Sequence, residues 1–178
     1  MIDTLITSRT RIKLLTRFFL NSSAKGHLRG LAVEFDESSN AIRLELNRFE
    51  KAGLLTSSKD GIKKVFQANT GHPLFPDIHN ILLKHIGFDQ IIQKVINGLG
   101  DIRRVYVTGG YANGKDAGAI DLLFVGNSVD KEYLANLVEK AEKLIKRAIS
   151  YVVYSEGEEK EYLHQKEDTD YLLLWQSE

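Results

Sequence analysis

Residues 108–126, TGGYANGKDAGAIDLLFVG, combine glycines spaced to receive phosphate with a carboxylate a few residues beyond them. Gly109, four further residues, then Gly114 and Lys115 match most of a glycine-rich phosphate loop, with Asp116 where a Ser or Thr would hold magnesium. Such a loop needs a helix directly after its lysine, because the first amides of that helix bind the phosphates. Here IRRVYVTGG reads as a buried strand ending at the glycine pair, and DAGAIDLLFVG as turn residues running into a second apolar strand. Strand, glycine turn, short segment, strand is a different layout, so ATP hydrolysis by that route is excluded.

The layout resembles the minimal nucleotidyltransferases of the polymerase-β-like superfamily. Gly109-Gly110, Ala112-Asn113-Gly114 and Gly118-Ala119-Ile120-Asp121-Leu122-Leu123 follow that family's order, and the similarity extends more loosely over residues 88–155. The resemblance implies two acids one residue apart on one strand face, joined by a third carboxylate on a neighbouring strand, holding two magnesium ions. This chain departs from the pattern. Ala119 replaces the first acid and only Asp121 remains, while AISYVVYSEG offers Ser150 and Tyr151 where the third acid would stand and reaches no carboxylate before Glu156. No catalytic residue is therefore assigned, Asp121 being the residual candidate. Asp116 is a substitute ligand only from the loop. No cofactor is expected unless the domain is active, in which case magnesium is. Gly109 and Gly110 retain the capacity to bind a phosphate through backbone amides, with Asp121 beside them. The plainer alternative is a tight turn in which any Cβ would clash, with Asp121 a strand-end acid pairing locally.

The elements that must position this stretch surround it. DKEYLANLVEKAEKLIKRA carries Leu134, Leu137, Val138, Ala141, Leu144 and Ile145 at helical spacing and is expected to cover a sheet. ISYVVYS reads as a strand, EGEEKEYLHQKEDTD as an acidic exposed segment, and YLLLW as a last strand or helical turn in which Trp175 packs.

The first half of the chain has another character. Residues 1–86 carry 13 Lys and Arg against 8 Asp and Glu, a net +5, and the remainder carries −5, although the whole is neutral. Such asymmetry points to a half that meets nucleic acid. The absence of Cys removes disulfides and thiolate metal sites, and the five His show no i, i+4 pair. No apolar run nears the roughly 20 residues of a membrane span, and no signal-peptide pattern opens the chain, so a cytoplasmic protein is expected.

SRTRIKLLTRFFLNS places Ile12, Leu15, Phe18 and Phe19 on one helical face. A short helix over about His27 to Phe35 follows. Ser38 or Ser39 then caps a second, with Ile42, Leu46 and Phe49 facing inward and Gly53 ending it. LLTSS and KKVFQAN make a hairpin around Lys59-Asp60-Gly61-Ile62. Residues 8–70, with LNRFEKAGLL closing the second helix, resemble the winged helix-turn-helix of ArsR/MarR-type regulators. That resemblance implies a recognition helix in the major groove of double-stranded DNA, with Ser39, Asn40, Arg43 and Asn47 toward base edges and phosphates. Arg43 suits guanine, and Asn40 or Asn47 adenine. Lys59, Lys63 and Lys64 would lie on the wing near phosphates. Glu45 and Glu50 would repel the backbone if they faced it. Pro73 and Pro76 open a helical pattern with Ile78, Ile81, Leu82, Leu83 and Ile86. It is expected either to pair two copies into a homodimer or to pack the two halves of the chain together.

The fold class is therefore α+β: a winged helix-turn-helix over 1–70, a linker or dimerisation helix over 71–87, and a small α/β nucleotidyltransferase-like domain with a mixed sheet over 88–178. The expected function is transcription regulation by DNA binding. The second domain is expected to lack its full metal-binding set and to act as scaffold, partner surface or sensor of a nucleotide-like ligand. The alternatives are an active magnesium-dependent nucleotidyltransferase whose winged helix recognises substrate, and a protein-interaction module.

Overall fold

The computed structural model describes residues 2–96, 99, 102–115, 117–166 and 170–177. The chain separates into two compact units, Met1–Leu82 and Leu83–Glu178.

In the first unit, α1 (Ile2–Leu5) and α2 (Arg9–Leu15) lead into one π-helical stretch, Thr16–Leu20, which buries Phe18, Phe19 and Leu20. A short strand, β1 (Lys25–His27), precedes α3 (Leu28–Phe35) and α4 (Ser39–Lys51). The hairpin β2 (Leu55–Asp60) and β3 (Lys63–Ala68) follows, and the sheet order is β1-β3-β2, antiparallel throughout. This is the winged helix-turn-helix arrangement. The turn is tighter than the sequence implies: Asp60 pairs with Lys63, leaving only Gly61 and Ile62 outside the ladder.

Local chemistry sets the limits of α4. The Ser38 hydroxyl accepts from the Ala41 amide at 3.1 Å, satisfying a donor that the helix itself leaves open. At the other end Gly53, with φ at +74°, turns the chain so that its amide reaches the Glu50 carbonyl and that of Leu54 reaches Phe49. A residue with a Cβ resists that φ, so glycine is what allows the close. Between these ends Ile42, Leu46 and Phe49 enter a core with Leu14, Leu15, Phe18, Phe19, Leu31, Leu55 and Phe66. Helix α5 (Phe75–Ile86) adds Phe75, Ile78 and Leu82 to the same core, and its His79 Nδ1 lies 2.7 Å from the Phe19 carbonyl.

The second unit continues with α6 (Phe88–Lys94), β4 (Arg104–Thr108), a single helical turn α7 (Gly109–Ala112), β5 (Ala119–Val125), α8 (Lys131–Ile145), β6 (Ala148–Tyr154), α9 (Glu156–His164) and β7 (Tyr171–Gln176). Its sheet is mixed, in the order β6-β5-β4-β7, with β5 parallel to β6 and the other pairs antiparallel. The helical turn comes before Lys115 and strand β5 begins only four residues after it, an order that the rejected phosphate loop would not allow.

Two expectations fail here. EGEEKEYLH, read as an acidic exposed segment, is a helix with Glu159 buried: Ser155 and Glu158 cap it reciprocally, and Tyr162 and Leu163 pack on the face of the sheet carrying Tyr106, Leu123 and Val125. Leu144, assigned to the inner face of α8, is about half exposed, because Leu134, Leu137, Val138 and Ala141 already complete that face.

Candidate nucleic-acid interface and the glycine turn at Asp121

Helix α4 turns Ser39, Asn40, Arg43 and Asn47 to solvent, together with Leu44 and Arg48. Its one inward acid is bound. Glu45 is buried and receives Arg11 Nε at 2.8 Å, Arg11 Nη2 at 3.1 Å and Arg48 Nη1 at 2.7 Å. The hydrogen bond from Arg11 outweighs the cost of burial and holds its carboxyl below the usual range. Glu50 accepts from Ser57 Oγ and Lys64 Nζ, each at 2.6 Å, and both lower its pKa, Lys64 first. Neither acid therefore points unpaired from the outward face of α4. The same contact alters the place of Lys64, which is tied to Glu50 and lies 5.0 Å over the Phe66 ring rather than standing free on the wing. Lys59 and Lys63 are exposed.

Between α4 and the wing runs a groove of about 430 Å³, lined by His27, Leu28, Arg29, Arg43, Leu46, Asn47, Ile62, Lys63, Lys64 and Phe66. Among the described residues no carboxylate lines it. Arg43, Asn47, Lys63 and Lys64 were legible as candidates, whereas Arg29 and His27 were not. His27 ends β1, a three-residue strand too short to show an alternating pattern, and Arg29 stands in the first turn of α3, directly after it.

In the second unit, strand register puts Tyr171, Thr108, Asp121 and Ser150 in one row across four strands. Laterally paired residues share a face, so the neighbours of Asp121 on β4 and β6 are hydroxyls. Ala119 pairs with Ala148, which leaves the first acid position apolar on both strands. Gly109, at φ +64°, lies against Asp121 so closely that a Cβ there would overlap Oδ2, and a Cβ on Gly110 would overlap that of Ala117. Both glycines thus have a packing reason. Among the described residues no group of three or more His, Asp or Glu is placed to hold a metal ion. Asp116 lies outside the described residues. Magnesium held between two bridging carboxylates does not fit a donor row of one acid between Thr and Ser.

No family model matches the chain, nor does any curated protein. Solved structures do. A candidate nucleotidyltransferase from Sulfolobus solfataricus is 24% identical, with 53% of this chain covering 82% of that one at a TM-score of 0.34. Reduced HlyU from Vibrio cholerae N16961 is 11% identical, with coverage of 52% and 82% and a TM-score of 0.35. A toxin-antitoxin structure with AMP-PNP is 17% identical, with coverage of 51% and 74% and a TM-score of 0.40. Scores of this size leave function to be argued from the residues of this chain.

One buried site was missed altogether. Glu159 of α9 accepts from Arg104 Nε and Nη2, each at 2.6 Å, and from the Tyr106 hydroxyl at 2.7 Å. Burial pushes the Glu159 carboxyl up, but the bonds from Arg104 and Tyr106 outweigh it and the net shift is downward. Burial first, then Glu159, raises the Tyr106 hydroxyl above its ordinary value. This pairing fastens α9 to β4, a structural duty. Among the described residues, no helix is long and apolar enough to cross a membrane.

Proposed function

We propose that this chain is a DNA-binding transcriptional regulator. Its winged-helix unit grips double-stranded DNA, and its second unit is a nucleotidyltransferase-like fold that acts as scaffold, partner surface or sensor of a nucleotide-like ligand. The observation that carries the proposal is the acid-free outward face of α4, with Asn40, Arg43 and Asn47, beside a groove lined by Arg29, Lys63 and Lys64. A guanidinium at Arg43 can meet guanine O6 and N7 in two parallel bonds, and the carboxamides of Asn40 and Asn47 can pair with adenine. Arg29 and Lys63 beside them neutralise phosphates and fix register without choosing sequence, Lys64 being held by Glu50. Pairing Glu45 with Arg11 and Glu50 with Lys64 removes the repulsion that two acids on this helix would otherwise exert. A homodimer belongs to the same proposal, since two copies would set recognition helices on half-sites about 34 Å apart.

Selection of duplexes from a random pool, followed by gel shift, tests it. An enriched sequence is expected, and Arg43→Ala should lower its advantage over a scrambled duplex by about 1–3 kcal/mol. No enrichment, or an Arg43→Ala variant with undiminished preference, would sink the proposal.

A further inference from the structure

Leu44 is out of place on the surface it occupies. It stands about half exposed on α4, among Ser39, Asn40, Arg43, Asn47 and Arg48, while the core side of the helix is already filled by Ile42, Leu46 and Phe49. A leucine on a polar face is common on protein surfaces and by itself means nothing. Here its position gives it meaning. It lies one turn after Asn40 and three residues before Asn47, so the three side chains form one strip along the helix. If Asn40 and Asn47 meet base edges, as the DNA-binding proposal on which this inference rests requires, Leu44 enters the major groove between them. Donors and acceptors line the base edges there, and a leucine opposite them would leave them dehydrated and unpaired. One group on those edges is apolar, the C5-methyl of a pyrimidine.

We propose that Leu44 is a specificity-determining residue that packs against a pyrimidine C5-methyl group. Thymine presents that methyl in ordinary DNA, and 5-methylcytosine presents the same group in methylated DNA. The contact selects a methylated pyrimidine at the step between those met by Asn40 and Asn47. Removing the methyl uncovers about one buried carbon's worth of apolar surface, which corresponds to a three- to fivefold loss of affinity.

The test uses the full chain and a duplex enriched from a random pool. Each thymine is replaced in turn by deoxyuridine, which keeps base pairing and deletes only the methyl. The wild type should lose about three- to fivefold at one step, or at a symmetric pair of steps, and nothing elsewhere. Leu44→Ala, a change outside the core, should bind the thymine and deoxyuridine duplexes equally, and no worse than the wild type binds the deoxyuridine duplex. If the enriched sequence carries cytosine at that step, 5-methylcytosine should tighten binding by the wild type and leave Leu44→Ala unchanged. Binding by the wild type that is indifferent to every methyl, or a methyl effect that survives in Leu44→Ala, overturns the assignment while leaving DNA binding itself standing. A pool that yields no enriched duplex removes the DNA-binding proposal and this inference with it.

Discussion

At the scale of single residues, the decisive question is which charges are already spoken for. Glu45, Glu50 and Glu159 all sit in stretches that read as polar surface, yet each is taken up by Arg or Lys at 2.6 to 2.8 Å. Glu159 has the clearest consequence. Its carboxyl is held below its unfolded value, so its stabilising contribution is complete above that value and is lost as pH falls through the folded one. Denaturant unfolding should show stability declining below about pH 5, where an unfolded Glu begins to take up its proton. Glu159→Gln should flatten that decline. Glu159→Ala leaves Arg104 and the buried Tyr106 hydroxyl without their acceptor and should cost about 2–3 kcal/mol at neutral pH. A pH profile identical in the wild type and Glu159→Gln would show that the charge on Glu159 adds nothing to stability through Arg104 and Tyr106. Sequence could not reveal this carboxylate, because its partners lie 53 and 55 residues away.

Elements whose signals are local were legible. Ser38 and Gly53 bracket α4 as their chemistry requires, and the Gly61 turn joins β2 to β3. The apolar runs before and after the glycine pair became β4 and β5. What escaped reading depends on distant pairing or very short runs. Three residues form β1 only because Gln67, Phe66 and Val65 of β3 lie opposite. Helix α9 is polar around most of its circumference and shows no apolar stripe, although the Ser155-x-x-Glu158 capping box was a local sign of its start. The candidate interface was thus half visible: its face on α4 follows from helical periodicity, while Arg29 needed the placement of β1 and α3.

For the whole molecule, the two compact units differ in charge, Met1–Leu82 carrying 12 Lys and Arg against 8 Asp and Glu and Leu83–Glu178 carrying 12 against 16. Asp121 lies in register between Thr108 and Ser150, and the proposed regulatory reading gives the second unit no nucleotidyl transfer to perform. Incubation with magnesium and labelled nucleoside triphosphates should leave no label on nucleic acid or on the chain itself. Transfer that disappears in Asp121→Ala would reverse this conclusion. The basic unit, by contrast, predicts binding that responds to salt through release of counterions from the duplex. Fluorescence anisotropy of the intact chain on a labelled duplex, repeated across a series of salt concentrations, tests that most directly. The logarithm of the binding constant should fall linearly with the logarithm of salt concentration, and Arg29→Ala should weaken all sequences alike while reducing the slope by about one. A duplex that does not bind, or one bound with no dependence on salt and no response to Arg29→Ala, would contradict the account.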